Sequence, residues 1–178
     1  VDQVYFPQIE VVGDIALSVD ALADALGLRL ELDLRDFEKV RDNVKKEIYR
    51  LDDEPAFPMR PQHIVSEIRN LMGYHDIIAL DNGVYKIWFA RNYLAFQPNT
   101  ILLDNALATM GAGLPSAMLA AMIHPNRKVM SICGDGGFMM NSQELETAVR
   151  LDLNLVVLIL NDSSYGMIRW KQAGSGFK

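Results

Sequence analysis

The chain has 178 residues, of which 50% are hydrophobic and 22% charged, a composition typical of a globular protein. Its formal net charge of -6 argues against a nucleic-acid partner, and an anionic ligand would need a cation or helix N-termini nearby. The single cysteine, Cys133, excludes a disulfide framework, and the apolar runs are too short to predict a membrane span. We therefore expect a cytoplasmic protein that contacts neither nucleic acid nor membrane.

The hydrophobic pattern predicts two helices before a proline-rich break. Apolar residues at helical spacing indicate a helix over residues 14–27, which ends at Gly27. A solvated amphipathic helix is predicted over residues 35–51. The segment DDEPAFPMRP then interrupts the pattern, because its three prolines do not fit inside regular elements. A domain boundary is expected there.

Short apolar strands alternate with helices beyond this break. The helices are predicted over residues 61–72, 84–95, 111–123 and 142–151, and the strands over residues 77–80, 101–103, 128–133 and 155–160. This alternation predicts an α/β fold with a doubly wound parallel sheet flanked by helices. The last strand, LVVLIL, is an unbroken apolar run, as expected of a central strand covered on both faces. Ser142 is the predicted N-cap of the last helix.

Polar and glycine-rich segments follow three of the predicted strands: residues 81–83, 134–137 and 161–164. Ligands of open parallel sheets bind outside the carboxyl ends of the strands, so these segments form the candidate site. Glycines let the backbone approach a phosphate, and the following helix offers free N–H groups. Asp135 and Asp162 would repel a bare phosphate and therefore predict an intervening Mg²⁺. A Gly-Asp-Gly turn alone is a common structural feature, and the second acidic strand end is what favours a site.

The run GDGGFMMNSQELETAVRLDLNLVVLILND resembles the signature of thiamine-diphosphate enzymes, in which Gly-Asp-Gly precedes an Asn-Asn or Asn-Asp pair. The wider run from DNGVYKIWFARNY through LATMGAGLPSAM to YGMIRWKQ resembles the acetolactate synthases, over residues 57–172. VVGDIAL, near the start, resembles the exit from that family's central domain. The resemblance thus implies a central-domain tail (residues 1–27), a linker with the amphipathic helix (28–60) and a domain that binds thiamine diphosphate and magnesium, cut short at its C-terminus (61–178).

The resemblance also implies which residues surround the cofactor. They are Asn82, Gly83, Val84, Tyr85, Ala108, Met110, Gly134, Asp135, Gly136, Gly137, Asp162, Ser164, Tyr165, Gly166 and Met167. Asp135 and Asp162 match metal-binding side chains, and Ser164 falls where a backbone carbonyl completes the metal shell. Met110 matches the residue that supports the cofactor in its bent conformation. The segment Gly83-Val84-Tyr85-Lys86 departs from the family's usual Gly-Gln-His-Gln, and Ala108 replaces a usual glycine.

The activity implied by the resemblance is a carboligation: two pyruvates give 2-acetolactate and CO₂, with the protein orienting a cofactor that carries the chemistry. The catalytic residue of relatives is a glutamate from an N-terminal domain of the neighbouring subunit, and nothing in this chain matches it. We therefore expect no catalytic residue and no activity in this chain alone, and a homodimer or homotetramer as the parent protein. Whether that protein also binds FAD, and whether its role is biosynthetic, in branched-chain amino acid synthesis, or catabolic, stays open.

Other functions remain as alternatives. A decarboxylase or an acyltransferase acting on another 2-keto acid would use the same cofactor site. A non-catalytic cofactor-binding module would not need two carboxylates at adjacent strand ends. A dinucleotide site is disfavoured because GDGGFM lacks the third glycine of the G-x-G-x-x-G fingerprint.

Overall fold

The computed structural model describes residues 4, 6–27, 32–50 and 56–177, and the chain divides into two compact units, residues 1–43 and 44–178. Helix α1 (Ile15–Leu26) begins after Asp14, whose carboxylate accepts a hydrogen bond from Leu17 N at 3.0 Å, and ends at Gly27 as predicted. Helix α2 spans Arg35–Ile48 and, like α1, contains no buried residue, which confirms its solvated character. Pro55 of the predicted break lies outside the described residues. The three-part domain division stays a prediction.

A parallel sheet of four strands organises residues 44–178. The strands are β1 (Ile77–Leu80), β2 (Ile101–Leu103), β3 (Val129–Gly134) and β4 (Leu155–Leu160), in the order β2-β1-β3-β4. The helices are α3 (Pro61–Leu71), α4 (Tyr85–Asn92), α5 (Gly113–Ile123), α6 (Asp135–Met140), α7 (Glu144–Arg150) and α8 (Gly166–Gly174). None of the helices in the described ranges is both long and apolar enough to cross a bilayer.

Helices cover both faces of the sheet, because alternate residues of a strand point to opposite sides. On one face, Ile78 and Leu80 of β1 pack with buried residues of α3 and α4, including Phe89, which is 2% exposed. On the other face, Ile77 and Ala79 pack against three alanines of α5, whose small side chains let that helix lie close to the strands. The predicted doubly wound α/β fold is confirmed.

Two sequence predictions are wrong at the C-terminal side of the sheet. In the described part of the sheet, β4 pairs with β3 alone and lies at an edge, where Val156 and Ile159 are 56% and 41% exposed. Its apolar run was expected to mark a central strand, but an apolar run does not reveal which element covers it. Ser142 is not an N-cap, because α7 begins at Glu144 after Gln143 and has no side-chain cap. A separate short helix, α6, occupies the preceding residues.

Candidate functional site

A cavity of about 460 Å³ opens at the carboxyl ends of the strands. The chain passes from β1 to β2 on one side and later to β3 on the other, so the strand order reverses between β1 and β3. Such a switch point is where open α/β sheets bind ligands. The cavity lies there, lined by the turns that follow β1 and β3 and by the segment that joins β4 to α8. Its volume suits a small-molecule cofactor.

All fifteen residues that the sequence assigned to a cofactor line this one cavity. They come from four separate segments: residues 82–85, 108–110, 134–137 and 162–167. The structure therefore brings together residues that are up to 85 positions apart in the chain. Which of them contact a cofactor, and whether Asp135, Asp162 and Ser164 hold a metal, stays a prediction.

Five further residues line the cavity without having been predicted: Lys86, Ile87, Ala90, Leu160 and Ile168. Ile87 and Ala90 lie one helical turn apart on α4, directly after the predicted residues 82–85. Helical spacing from that segment could have identified them. Lys86 directly follows the predicted residues 82–85. Among the described residues that line the cavity, it is the only cation.

Asp81 lies behind the cavity as a fully buried carboxylate. Its oxygens accept hydrogen bonds from Asn82 N at 2.7 Å and from Gly111 N at 2.9 and 3.0 Å. A Cβ at Gly137 would lie 2.2 Å from Asp81 Oδ2, much closer than real Cβ contacts. Gly137 is therefore needed for the turn after β3 to pack on Asp81. This carboxylate holds together the loops that follow three strands.

Two carboxylates face the ligand side, at neighbouring strand ends. Asp135 is half-buried at the start of α6, and Asp162 is exposed after β4. Asp162 Oδ1 accepts a hydrogen bond from Ser164 N at 3.2 Å, which orders the turn that contains Ser164. With only Lys86 opposing them among the described lining residues, the pair favours a bound cation.

A magnesium ion here would need ligands beyond protein side chains. The described residues contain no group of three or more His, Cys, Asp or Glu side chains that could hold a metal. Asp135, Asp162 and a backbone carbonyl such as that of Ser164 would supply half of an octahedral shell, and phosphate oxygens and water the rest. This incomplete oxygen set is the type that Mg²⁺ uses when it binds together with a phosphate, so the residues fit a Mg²⁺–diphosphate pair.

The anionic end of a cofactor also finds hydrogen-bond donors. Helix α8 begins at Gly166 with no side-chain cap, so its first N–H groups have no partner within the helix. A nine-residue helix with a free N-terminus at the cavity favours a diphosphate. Gly136 packs against the ring of Tyr165, since a Cβ at Gly136 would lie 2.6 Å from Tyr165 Cε1. Gly136 therefore leaves room for the Tyr165 ring at the cavity wall.

Two buried groups at the site have raised pKa values. Burial and the negative charge of Asp81 raise the pKa of the Tyr85 phenol, which is therefore neutral at physiological pH. Burial raises the pKa of Cys133 to about 11. Cys133 is fully buried behind the cavity, with its Sγ 3.2 Å from Ser131 Oγ. A protonated, inaccessible thiol is inert.

The family of the chain follows from its sequence match. A family model described as "Thiamine pyrophosphate enzyme, C-terminal TPP binding domain" matches residues 81–178, more than half of the chain and all of the cavity lining. The chain therefore belongs to the thiamine pyrophosphate enzymes, as the resemblance of its motif implied.

Within this family the chain is similar to acetolactate synthases. It is 34% identical to "Acetolactate synthase" of Bacillus subtilis (strain 168) over 177 residues, which are 97% of this chain and 30% of that protein. It is 36% identical over 170 residues to "Acetolactate synthase, catabolic" of Raoultella terrigena, covering 92% of this chain and 30% of the relative. With "Acetolactate synthase, chloroplastic" of Arabidopsis thaliana it shares 33% identity over 171 residues, 93% of this chain and 25% of the relative. The chain thus spans at most 30% of the length of these relatives.

Proposed function

We propose that this chain is the diphosphate- and Mg²⁺-binding part of an acetolactate synthase, which condenses two pyruvates to 2-acetolactate with release of CO₂. One observation carries the proposal: residues from four segments that match the family's cofactor positions line a single cavity at the switch point of the sheet. Similarity to acetolactate synthases over nearly the whole chain supports this substrate class.

The residues of this chain then have distinct tasks. Asp135 and Asp162 bind Mg²⁺ through their carboxylates, and the Ser164 carbonyl completes the protein's share of the shell. The turn at residues 136–137 and the N-terminus of α8 donate N–H groups to the diphosphate. Met110 would contact the bound cofactor and support its bent conformation. The bound thiamine diphosphate supplies the carbon nucleophile that adds to a 2-keto acid, while the protein binds and orients it.

The product formed from pyruvate tests the proposed reaction. The complete gene product that contains residues 1–178 is supplied with thiamine diphosphate, Mg²⁺ and ¹³C-pyruvate, and the products are identified by NMR. We expect 2-acetolactate. Acetaldehyde would instead identify a decarboxylase on the same cofactor site. If calorimetry shows that the protein binds thiamine diphosphate but pyruvate is not consumed, the substrate is another 2-keto acid.

A matched set of charge-neutralising variants tests the metal site. We expect Asp135→Asn and Asp162→Asn each to weaken thiamine diphosphate binding in the presence of Mg²⁺ by about 10- to 100-fold, because a contact to a charged group is worth about 1.5–3 kcal/mol. Asp152→Asn is the control, since it removes the same charge at an exposed turn outside the cavity. Asn also tolerates the positive φ of 50° there. If all three variants bind thiamine diphosphate with the same affinity in the presence of Mg²⁺, the metal assignment is refuted.

The assembly and surroundings of the enzyme form a separate part of the proposal. We infer a cytoplasmic homodimer or homotetramer whose catalytic glutamate comes from a segment outside these residues. The relatives extend well beyond the matched region, which supports a catalytic residue outside it. Sedimentation of the complete gene product measures its assembly, and its visible absorption spectrum reveals any bound FAD. Turnover of pyruvate by residues 1–178 alone would refute the missing-glutamate part.

A further inference from the structure

The loop that carries Met110 into the cavity is held by side chains from other elements. This loop, residues 104–112, joins β2 to α5, and its residues 105–109 are exposed. Two of its residues have positive φ, Ala108 at 51° and Gly111 at 87°. An exposed loop with such a backbone needs external hydrogen bonds to keep one conformation.

Three contacts tie the loop to the turn after β1 and to the start of α4. Lys86 Nζ donates to the Asp104 carbonyl at 2.7 Å. Asn82 Nδ2 donates to the Thr109 carbonyl at 2.8 Å. The third contact is the bond from Gly111 N to the buried Asp81. The loop is therefore held at its first residue and on either side of Met110.

Lys86 also determines the orientation of the Asn82 amide, to which its Nζ donates a hydrogen bond at Oδ1. An ammonium group only donates, so Oδ1 has to face Lys86 and Nδ2 has to face the Thr109 carbonyl. Without Lys86, Oδ1 would lose its donor, and the Thr109 carbonyl alone would hold the amide. A chain of hydrogen bonds thus runs from Lys86 through Asn82 to the residue before Met110.

The Lys86 ammonium makes these contacts in a half-buried place. Among the described residues it forms no salt bridge, so its charge is balanced by an amide oxygen and a backbone carbonyl. Holding an unpaired cation in two fixed hydrogen bonds costs side-chain entropy and partial desolvation. The ammonium group of an ordinary exposed lysine is instead solvated by water and has no fixed hydrogen bonds.

We propose that Lys86 is a positioning residue for the cofactor site: through Asn82 and the Asp104 carbonyl it fixes the 104–112 loop and so places Met110 in the cavity. The effect on the cofactor rests on the proposed function, whereas the effect on the loop does not. Lys86 therefore acts on the cofactor through the position of Met110.

The first test measures the loop without any ligand. In the complete gene product, amide hydrogen exchange of the peptide that spans residues 104–111 is compared for wild type, Lys86→Met, Lys86→Arg and the control Lys46→Met, an exposed lysine of α2. We expect exchange to be about tenfold faster in Lys86→Met, the effect of 1.4 kcal/mol on local opening. Lys86→Arg, which keeps the donors, restores most of the protection. Unchanged exchange in Lys86→Met overturns the proposal.

The second test asks whether Lys86 acts through Met110. The dissociation constant of thiamine diphosphate at saturating Mg²⁺ is measured for Lys86→Met, Met110→Ala and the double variant by quenching of tryptophan fluorescence. We expect each single change to weaken binding about tenfold and the double change to weaken it hardly further, since the two residues form one unit. Additive losses would mean that Lys86 acts independently of Met110, which overturns the indirect role.

The two tests also separate this proposal from the proposed function. A wild-type protein that binds no thiamine diphosphate, but whose 104–111 peptide exchanges faster in Lys86→Met, would refute the function and keep the loop assignment. If the wild-type protein binds thiamine diphosphate but exchange is unchanged in Lys86→Met, the function is kept and the loop assignment is refuted. Urea unfolding midpoints of all variants show whether any loss comes from global destabilisation.

Discussion

Substitution of Gly137 by alanine tests the packing of the cavity wall on the buried carboxylate. The new Cβ would lie 2.2 Å from Asp81 Oδ2, and real Cβ contacts essentially never fall below 3.0 Å. One side of the contact therefore has to move by about 1 Å. Asp81 is completely buried and bonded to two backbone N–H groups, so it has no free direction in which to move.

The cost of the Gly137→Ala change follows from these contacts. Overpacking of a dense interior costs about 1–3 kcal/mol, and a weakened hydrogen bond to a charged group costs about 1.5–3 kcal/mol. We therefore expect the free energy of unfolding to fall by about 3–4 kcal/mol in total. This would be one of the larger losses that a single added methyl group produces.

Urea unfolding of the complete gene product, followed by tryptophan fluorescence, measures this loss. Gly174→Ala is the matched control, because nothing lies within 4 Å of a Cβ there, and its free energy of unfolding should change by less than about 0.5 kcal/mol. In an Asp81→Ala background, Gly137→Ala should cost less than about 1 kcal/mol, since the clashing carboxylate is gone. An equal cost with and without that carboxylate would refute the reasoning.

Three further predictions concern buried or half-buried groups outside the ligand cavity or behind it. Arg69 donates to the carbonyls of Leu94, Met72 and Gly73, and its guanidinium lies 4.6 Å from the ring centroid of Tyr93. Because lysine cannot make this set of contacts, Arg69→Lys should lower the free energy of unfolding by about 2–3 kcal/mol. The exposed control Arg91→Lys should lower it by less than about 0.5 kcal/mol. Tyr93 Oη is buried without a hydrogen-bond partner among the described residues, so Tyr93→Phe should leave that free energy unchanged or raise it; a loss of more than about 1 kcal/mol would show a bonded hydroxyl. Because burial raises the pKa of Cys133 from 9.0 to about 11, the unfolded chain releases this proton first, and stability should fall as pH rises between those values. Cys133→Ala should show a smaller fall over the same range in urea titrations, and an identical fall in both proteins would contradict the shifted pKa.

The sequence predicted the sheet closely because its strands are short apolar runs with polar ends. The predicted bounds of β1, β2 and β4 coincide with those observed. The same polar ends located the cavity, since the carboxyl ends of parallel strands meet at one edge. The polar strand ends therefore predicted both the bounds of the strands and the position of the cavity.

The features that the sequence could not predict depend on contacts between distant segments. The edge position of β4 depends on which strands pair, and its own apolar run carries no information about pairing. The role of Asp81 depends on Gly111, thirty residues away, and on the close approach of Gly137. Lys86 donates to the Asp104 carbonyl, eighteen residues away, and this contact could be found only in the structure.

The edge strand β4 also affects how the chain behaves in solution. In the part of the chain that the structure describes, its outer side offers a row of unpaired N–H and C=O groups, next to the exposed Val156 and Ile159. An open apolar edge of this kind templates strand addition from another chain. We therefore expect residues 1–178, produced alone, to self-associate at high concentration. Val156→Lys should reduce this self-association, because a charged side chain on an edge strand disfavours strand addition.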